Sequence, residues 1–207
     1  MIKVAIVDDH KMVVESLSKI INESDIAQVT GKYYDLKSCR EGLAKELPDI
    51  MLLDIGLPDG DGVDFCAETV KTYPGLKIIM LTSYKEFNIA KQALHNGALG
   101  YILKNAYPEE IFAGIKAVSK GEKFLCEEID LLLKDKSDTN IIWLTGREKE
   151  ILKYLADGCT TLTIAKLINR STENVKSYRR NLFVKFHVKN MAELIKKAYD
   201  MHFISSF

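Results

Sequence analysis

Ile50-Met51-Leu52-Leu53-Asp54-Ile55-Gly56-Leu57-Pro58-Asp59-Gly60-Asp61-Gly62 is the stretch that decides the fold. Four apolar residues lead straight into an aspartate, and a loop of Gly, Pro and Asp follows. A short unbroken apolar run closed by turn residues predicts a strand buried on both faces. Asp54 therefore stands where that strand leaves its sheet. In open parallel sheets, ligand chemistry collects at the carboxyl ends of the strands.

The flanking sequence supplies the rest of such a sheet. Ile2–Val7 reads as a buried strand followed at once by Asp8 and Asp9, then by a helix with Met12, Val13, Leu17, Ile20 and Ile21 at helical spacing. Residues 26–32 read as a second strand, and Leu36–Leu47 as an amphipathic helix that stops before Pro48. After the strand at Ile50–Leu53, the spacing predicts a helix over Val63–Tyr73, ended by Pro74-Gly75. A fourth strand, Lys77–Leu81, ends in Thr82-Ser83. A helix over Phe87–Asn96 closes on Gly97. A fifth strand, Tyr101–Leu103, runs into Lys104, and a helix over Pro108–Ser119 has Pro and two Glu in its first turn. Strands alternating with helices predict an α/β domain with a parallel sheet covered on both faces. In the order 2-1-3-4-5, strands 1, 3, 4 and 5 lie side by side, and their ends gather Asp8, Asp9, Asp54, Thr82 and Lys104 into one pocket. Clustered carboxylates favour a hard divalent cation, Mg²⁺ first. A cation there attracts a phosphoryl group, and the carboxylate of Asp54 is a competent nucleophile for it.

Composition adds a second domain. The chain has 207 residues and 47% apolar content, enough for two cores. Net charge is zero overall, yet residues 1–120 carry 14 Lys and Arg against 17 Asp and Glu (net −3), while residues 143–207 carry 12 against 6 (net +6). An acidic front and a basic tail imply different partners, nucleic acid for the tail. Cys39, Cys66, Cys126 and Cys159 are scattered without a CxxC pair and read as reduced core residues rather than metal ligands. The opening residues already form a strand pattern with no signal-peptide pattern ahead of them, and no apolar run approaches the roughly 20 residues of a membrane span. A cytoplasmic location away from any membrane is expected.

Residues 1–120 resemble the receiver domain of bacterial two-component response regulators. The resemblance is carried by Asp8-Asp9, Leu53-Asp54, Leu57-Pro58-x-Gly60-x-Gly62, Leu81-Thr82 and Gly100-Tyr101-Ile102-Leu103-Lys104. It implies a flavodoxin-like (βα)5 fold, with Asp54 as the phosphoacceptor and Asp8, Asp9 and Asp54 as Mg²⁺ ligands. It further implies that Thr82 bonds a phosphoryl oxygen, that Lys104 pairs with another, and that Tyr101 is the aromatic that turns inward on activation. Gly56 and Tyr84, each two residues beyond a site residue, are placed to tune the lifetime of a phosphorylated state. Gly56 leaves room for an attacking water, whereas Tyr84 could shield the phosphoryl group.

Residues 121–142 read as a linker, with a short helix over Glu127–Leu133 and a polar, aperiodic run from Lys134 to Asn140. Beyond it, four short helices are expected. Thr145 with Glu148 forms a capping box for Glu148–Ala156, which Gly158 ends. Thr161–Ile168 buries Ile164, Ala165 and Leu167, Asn169-Arg170 turns, and Ser171 caps a helix running to about Phe186. Met191–Tyr199 is the fourth. On the third, Val175, Tyr178, Leu182 and Phe186 share one face, with Glu173, Lys176, Ser177 and Arg180 opposite. Between residues 166 and 189 stand seven basic residues and one acidic. Two short helices with a tight turn, the second basic, form the helix-turn-helix arrangement.

Residues 143–207 are expected to form an all-α second domain, and residues 144–199 resemble the DNA-binding domain of NarL/FixJ (LuxR-type) regulators through Leu144-Thr145-x-Arg147-Glu148-x-Glu150-Ile151-Leu152, Ala156-x-Gly158, Ile164-Ala165, Ser171, Val175-Lys176 and Lys185-Phe186-x-Val188. The resemblance implies that Lys176, Ser177 and Arg180 face base edges of double-stranded DNA, and that Arg179, Lys185, Thr160 and Thr161 hold phosphates. Gly146, Leu162-Thr163, Arg170 and Asn174 depart from the family pattern. Glu173 places a carboxylate on the reading face, where it could accept from a cytosine amine or repel phosphates. The expected function is a transcription factor phosphorylated on Asp54 by a sensor histidine kinase. It then forms a homodimer through Met191, Leu194, Ile195 and Ala198 and binds DNA. One alternative is a constitutive DNA-binding regulator whose receiver is a phosphorylation-independent interaction module. Another, a phosphohydrolase, is disfavoured by Gly56, which leaves no acidic general acid two residues beyond Asp54.

Overall fold

The alternating pattern of the first part of the chain folds into β1 (Ile2–Val7), α1 (Lys11–Asn22), β2 (Ala27–Tyr33), α2 (Leu36–Leu43), β3 (Ile50–Leu53), β4 (Gly56–Leu57), β5 (Gly60–Asp61), α3 (Gly62–Thr72), β6 (Lys77–Thr82), α4 (Phe87–His95), β7 (Gly100–Leu103), α5 (Pro108–Ser119), β8 (Phe124–Leu125) and α6 (Glu127–Asp135). The computed structural model describes residues 1–135, 142, 144, 146–201, 203 and 204. The chain divides into two units, Met1–Thr139 and Asn140–Phe207.

The first unit is a parallel sheet in the order β2-β1-β3-β6-β7-β8. Its first five strands have the expected 2-1-3-4-5 arrangement. β3 lies between β1 and β6, in register Val7↔Leu53 and Leu53↔Met80, and all four of its side chains are buried. Because helices cover both faces, the strand residues divide between two cores. Met51, Leu53, Met80 and Tyr101 pack with α2, α3 and α4, while Val4, Ile6, Leu52, Ile79 and Ile102 pack with α1 and α5. Burial pushes the Cys66 thiol up to about 12, and Cys39, Cys66 and Cys126 are buried free thiols while Cys159 is half-buried. Gly97, at φ +103°, ends α4 in the left-handed region, where a side chain is strained.

The first unit departs from the sequence reading in three places, and in the second Leu167, expected to be buried with Ile164 and Ala165, is 55% exposed. The helix expected to reach Leu47 stops at Leu43. Gly42 stands in its last turn and its carbonyl accepts from Lys45 N at 2.9 Å and Glu46 N at 3.0 Å, closing the helix as a turn. The loop after Asp54 holds a two-residue antiparallel ladder, β4 with β5. Part of the stretch read as linker is built into the first unit. β8 adds a sixth strand, Tyr101↔Leu125, and α6 packs against α4 through the fully buried Ile129, with Leu132 and Leu133 on the same core.

The second unit contains α7 (Gly146–Ala156), α8 (Thr161–Leu167), α9 (Thr172–Phe186) and α10 (Met191–Asp200). Ile151, Leu152, Ile164, Val175, Leu182, Phe186 and Leu194 form its centre, and Phe186 meets Phe203 edge to face at 5.4 Å between ring centroids. Thr160 and Ser171 cap α8 and α9, accepting from Thr163 N and Asn174 N. Between these helices Asn169 takes φ +51°, a left-handed turn that Asn tolerates. The expected cap at Thr145 lies outside the described residues.

Candidate functional site

Asp54 follows β3 directly and is 5% exposed, and Asp8 follows β1 at 1%. Burying carboxylates requires partners. Lys104, after β7, supplies them: its Nζ lies 2.8 Å from Asp54 Oδ2 and 2.7 Å from Asp8 Oδ2. Asp54 Oδ1 accepts from Ile55 N at 2.7 Å. Burial alone lowers the pKa of Lys104, but its hydrogen bonds to Asp54 and Asp8 outweigh that and hold it above the ordinary lysine value. The strand end has no space to spare, since a Cβ on Gly62 would come within 1.9 Å of the Asp54 carbonyl oxygen. Gly62 N also donates to Ile55 O at 2.8 Å, tying the loop to the strand it follows.

Asp9, at the rim, completes the predicted set of three carboxylates. His10 was not anticipated as part of it. It is the N-cap residue of α1, its backbone N donates to Asp8 Oδ1 at 2.9 Å, and its Nδ1 lies 2.8 Å from Asp9 Oδ1 and 3.1 Å from Asp8 Oδ1. Its place immediately before a helix and after two aspartates was the available signal. One ligand atom from each of Asp8, Asp9, His10 and Asp54 lies within 4.8 Å of every other. Three carboxylates around one ammonium leave unneutralised negative charge, and an all-oxygen carboxylate set suits a hard divalent cation. The residues therefore fit a metal.

Thr82 is fully buried at the end of β6, and its Oγ1 accepts from Tyr84 N at 3.3 Å. Tyr101 is also fully buried, and its hydroxyl donates to Tyr84 O at 2.8 Å. Burial and the neighbouring charge of Glu86 raise its phenol well above the usual tyrosine range. Thr82 and Tyr101 thus hold the same residue by its two backbone groups. The Tyr84 ring lies across the pocket mouth from Gly56, whose Cβ, were it present, would be 3.6 Å from the Tyr84 hydroxyl. Burial and the charge of Asp54 raise Tyr84 too.

In the second unit, α9 presents Glu173, Lys176, Ser177 and Arg180 on its exposed side. The other predicted DNA contacts already have work within the unit. Arg179 Nη1 donates to Thr161 Oγ1 at 2.9 Å, and the Thr160 hydroxyl oxygen caps α8. Lys185 Nζ bonds Glu148 Oε2 at 2.6 Å, satisfying a carboxylate whose side chain is 5% exposed. Along α10 the expected dimer face is corrected. Leu194 and Ala198 are fully buried in the core of their own unit, where α10 packs on α9 and α7. Met191 and Ile195 are half-buried, and the large apolar side chain that α10 exposes is Tyr199, at 48%.

Comparison with known proteins agrees with both halves of this geometry. The response regulator receiver domain matches residues 4–116, and the bacterial regulatory proteins of the luxR family match residues 143–198. The transcriptional regulatory protein DesR of Bacillus subtilis is 32% identical over 97% of this chain and 98% of its own length. The oxygen regulatory protein NreC of Staphylococcus carnosus is 29% identical over 95% of this chain and 96% of its own. Among solved structures, RcsB of Salmonella enterica serovar Typhimurium, bound to promoter P1flhDC in the presence of phosphomimetic BeF3-, aligns with a TM-score of 0.66 and 28% identity over 95% of this chain and 97% of that one. No described helix is long and apolar enough to cross a membrane. With a strand-end aspartate pocket in one unit and a helix-turn-helix in the other, the chain is a transcription regulator rather than an enzyme and belongs to the NarL/FixJ family of two-component response regulators, a receiver domain joined to a LuxR-type DNA-binding domain.

Proposed function

We propose that a sensor histidine kinase phosphorylates Asp54 and that this switches the protein, in the cytoplasm, to a DNA-binding homodimer. The observation that carries the reading is the burial of Asp54 at the end of β3 with Lys104 Nζ 2.8 Å from its carboxylate. An Asp54 oxygen forms a bond to phosphorus, the bond from phosphorus to the kinase histidine nitrogen breaks, and the histidine leaves neutral. Asp8, Asp9 and Asp54 would hold Mg²⁺, which supplies neutralisation of phosphoryl charge. Lys104 stays protonated and pairs with a phosphoryl oxygen. Thr82 turns its hydroxyl to another.

That turn has a consequence built into the fold. Thr82 Oγ1 is the acceptor for Tyr84 N, and Tyr101, already seated inward, holds Tyr84 O. Drawing the Thr82 hydroxyl toward the phosphoryl group removes one hold on the β6–α4 loop and leaves the other. The same loop carries Lys85, whose Nζ is 3.0 Å from Glu128 on α6. The state of Asp54 thereby reaches the segment that leads to the second unit. Dimer contact falls to the exposed side of α10, through Ile195 and Tyr199 with Met191. Lys176, Ser177 and Arg180 enter the major groove, while the phosphate contacts assigned to Arg179, Lys185, Thr160 and Thr161 come from groups that also brace the unit. The test is DNA affinity and solution mass of the full chain before and after phosphorylation. Both rise on phosphorylation and stay low for Asp54→Asn. Equal affinity in the two forms identifies a constitutive binder.

A further inference from the structure

α9 carries a carboxylate where a DNA-reading helix has most reason to avoid one. Glu173 stands in its first turn, with a side chain 75% exposed and Oε1 2.7 Å from Lys176 Nζ. Residues 173, 176, 177 and 180 follow the spacing of a single helix stripe. The opposite side of α9 is spent: Val175, Leu182 and Phe186 are buried in the core, and Arg179 is turned to Thr161 on α8. In a helix-turn-helix, residues near the start of the second helix approach the base edges. Glu173 is therefore at the leading end of the stripe that faces DNA, between two rows of phosphates.

An unpaired carboxylate there would only weaken binding. The contact with Lys176 changes the balance, because the two side chains enter the groove with their charges compensated. Together they present an acceptor and a donor side by side, within the ~3.4 Å rise between stacked bases. In the major groove the donors are the amines of cytosine and adenine, and a carboxylate characteristically accepts from cytosine, while lysine donates to the O6 and N7 of guanine. We infer that Glu173 and Lys176 act as one reading unit, Glu173 accepting from a cytosine amine while Lys176 donates to the guanine stacked beside it. The inference rests on the reading of α9 as the DNA-contacting helix. The bland alternative gives Glu173 only a favourable place at the positive end of α9 and a solvated ion pair. The two differ in whether the base preference moves.

The test is selection from randomised duplexes by the full-length protein, phosphorylated with acetyl phosphate and Mg²⁺, for wild type, Glu173→Ala, Glu173→Gln and Lys176→Ala. Thermal unfolding of each variant confirms that it folds. Wild type enriches cytosine at one position next to guanine. Glu173→Ala lowers that preference by about tenfold and leaves the remaining positions as they were, in keeping with the discrimination one good side-chain contact confers. Glu173→Gln moves the preference toward adenine, which a glutamine amide matches. Lys176→Ala loses guanine at the neighbouring position. An unchanged base profile in Glu173→Ala, with affinity raised equally for all sequences and a steeper salt dependence, overturns the inference and leaves Glu173 as a phosphate-repelling charge. Failure of wild type itself to bind any duplex at low salt, with all variants alike, overturns the assignment of α9 on which the inference stands.

Discussion

Asp54 is poised because three neighbours constrain it in different ways: Lys104 neutralises it, Ile55 N orients it, and Gly62 leaves it room. Each constraint predicts a distinct failure. Lys104→Ala leaves Asp8 and Asp54 facing one another without a cation, and at this partly open site should lower stability by about 2 kcal/mol, less than for a fully buried pair. Urea unfolding without divalent cations measures the loss, and added Mg²⁺ should recover more stability in the variant than in wild type. Gly62→Ala forces a methyl group against the Asp54 carbonyl oxygen, 1.9 Å away. It should displace the strand end and slow phosphorylation at least tenfold, a shift of about 1.4 kcal/mol in the barrier, as read by the rate of phosphoryl uptake.

Titration gives a further residue-scale prediction. The folded pKa of Lys104 is raised, so its contribution to stability is fully present below the ordinary lysine value of 10.5 and is lost as pH rises through the folded value. Tyr101 acts in the same sense. The unfolded phenol ionises near its model value of 10.0 while burial keeps the folded one protonated, so stability falls with each step of pH above that. The urea midpoint should therefore drop between pH 9.5 and pH 11, and drop less steeply in Tyr101→Phe. At neutral pH Tyr101→Phe should cost only the bond to Tyr84 O, on the order of 1 kcal/mol.

At the scale of elements, β8 and α6 turn what reads as connecting chain into part of the receiver. Ile129 is the residue that fastens α6. Ile129→Ala should destabilise the receiver by about 2–4 kcal/mol if α6 is integral to it, whereas an independent linker helix would show almost no change in the unfolding midpoint. The strand-end pocket was legible in the sequence because buried parallel strands announce themselves as apolar runs, and the residue after each run is then placed by topology alone. β4, β5 and β8 were not legible, since two-residue strands are too short to show any period and exist through the partners they meet. α10 shows a subtler limit. Helical spacing grouped Met191, Leu194, Ile195 and Ala198 correctly as one apolar face, but spacing cannot say what the face packs on. Leu194 and Ala198 belong to the core, so a charge at Leu194 unfolds the unit, and the informative dimer variant is Tyr199→Asp. It should leave the unfolding midpoint in place and abolish the gain in solution mass on phosphorylation.

For the whole molecule, charge is divided between the units in the sense the proposed function needs. The acidic first unit, net −3 over residues 1–120, suits a cation, and the basic second, net +6 over residues 143–207, suits a polyanion. DNA affinity should fall steeply with salt, with a slope that reports the phosphates contacted. Substituting Arg180 by Ala should cost about 1–3 kcal/mol at one base position if it reads a base. In the proposed function everything downstream depends on one covalent event in the first unit. Intact mass spectrometry of the full chain after incubation with acetyl phosphate and Mg²⁺, comparing wild type with Asp54→Asn, tests it most directly. The pocket described here predicts a single phosphoryl group on wild type and none on the variant. Wild type that takes up none, from this donor or from a histidine kinase, or a variant that takes up as much as wild type, would contradict the assignment of Asp54 as the switch.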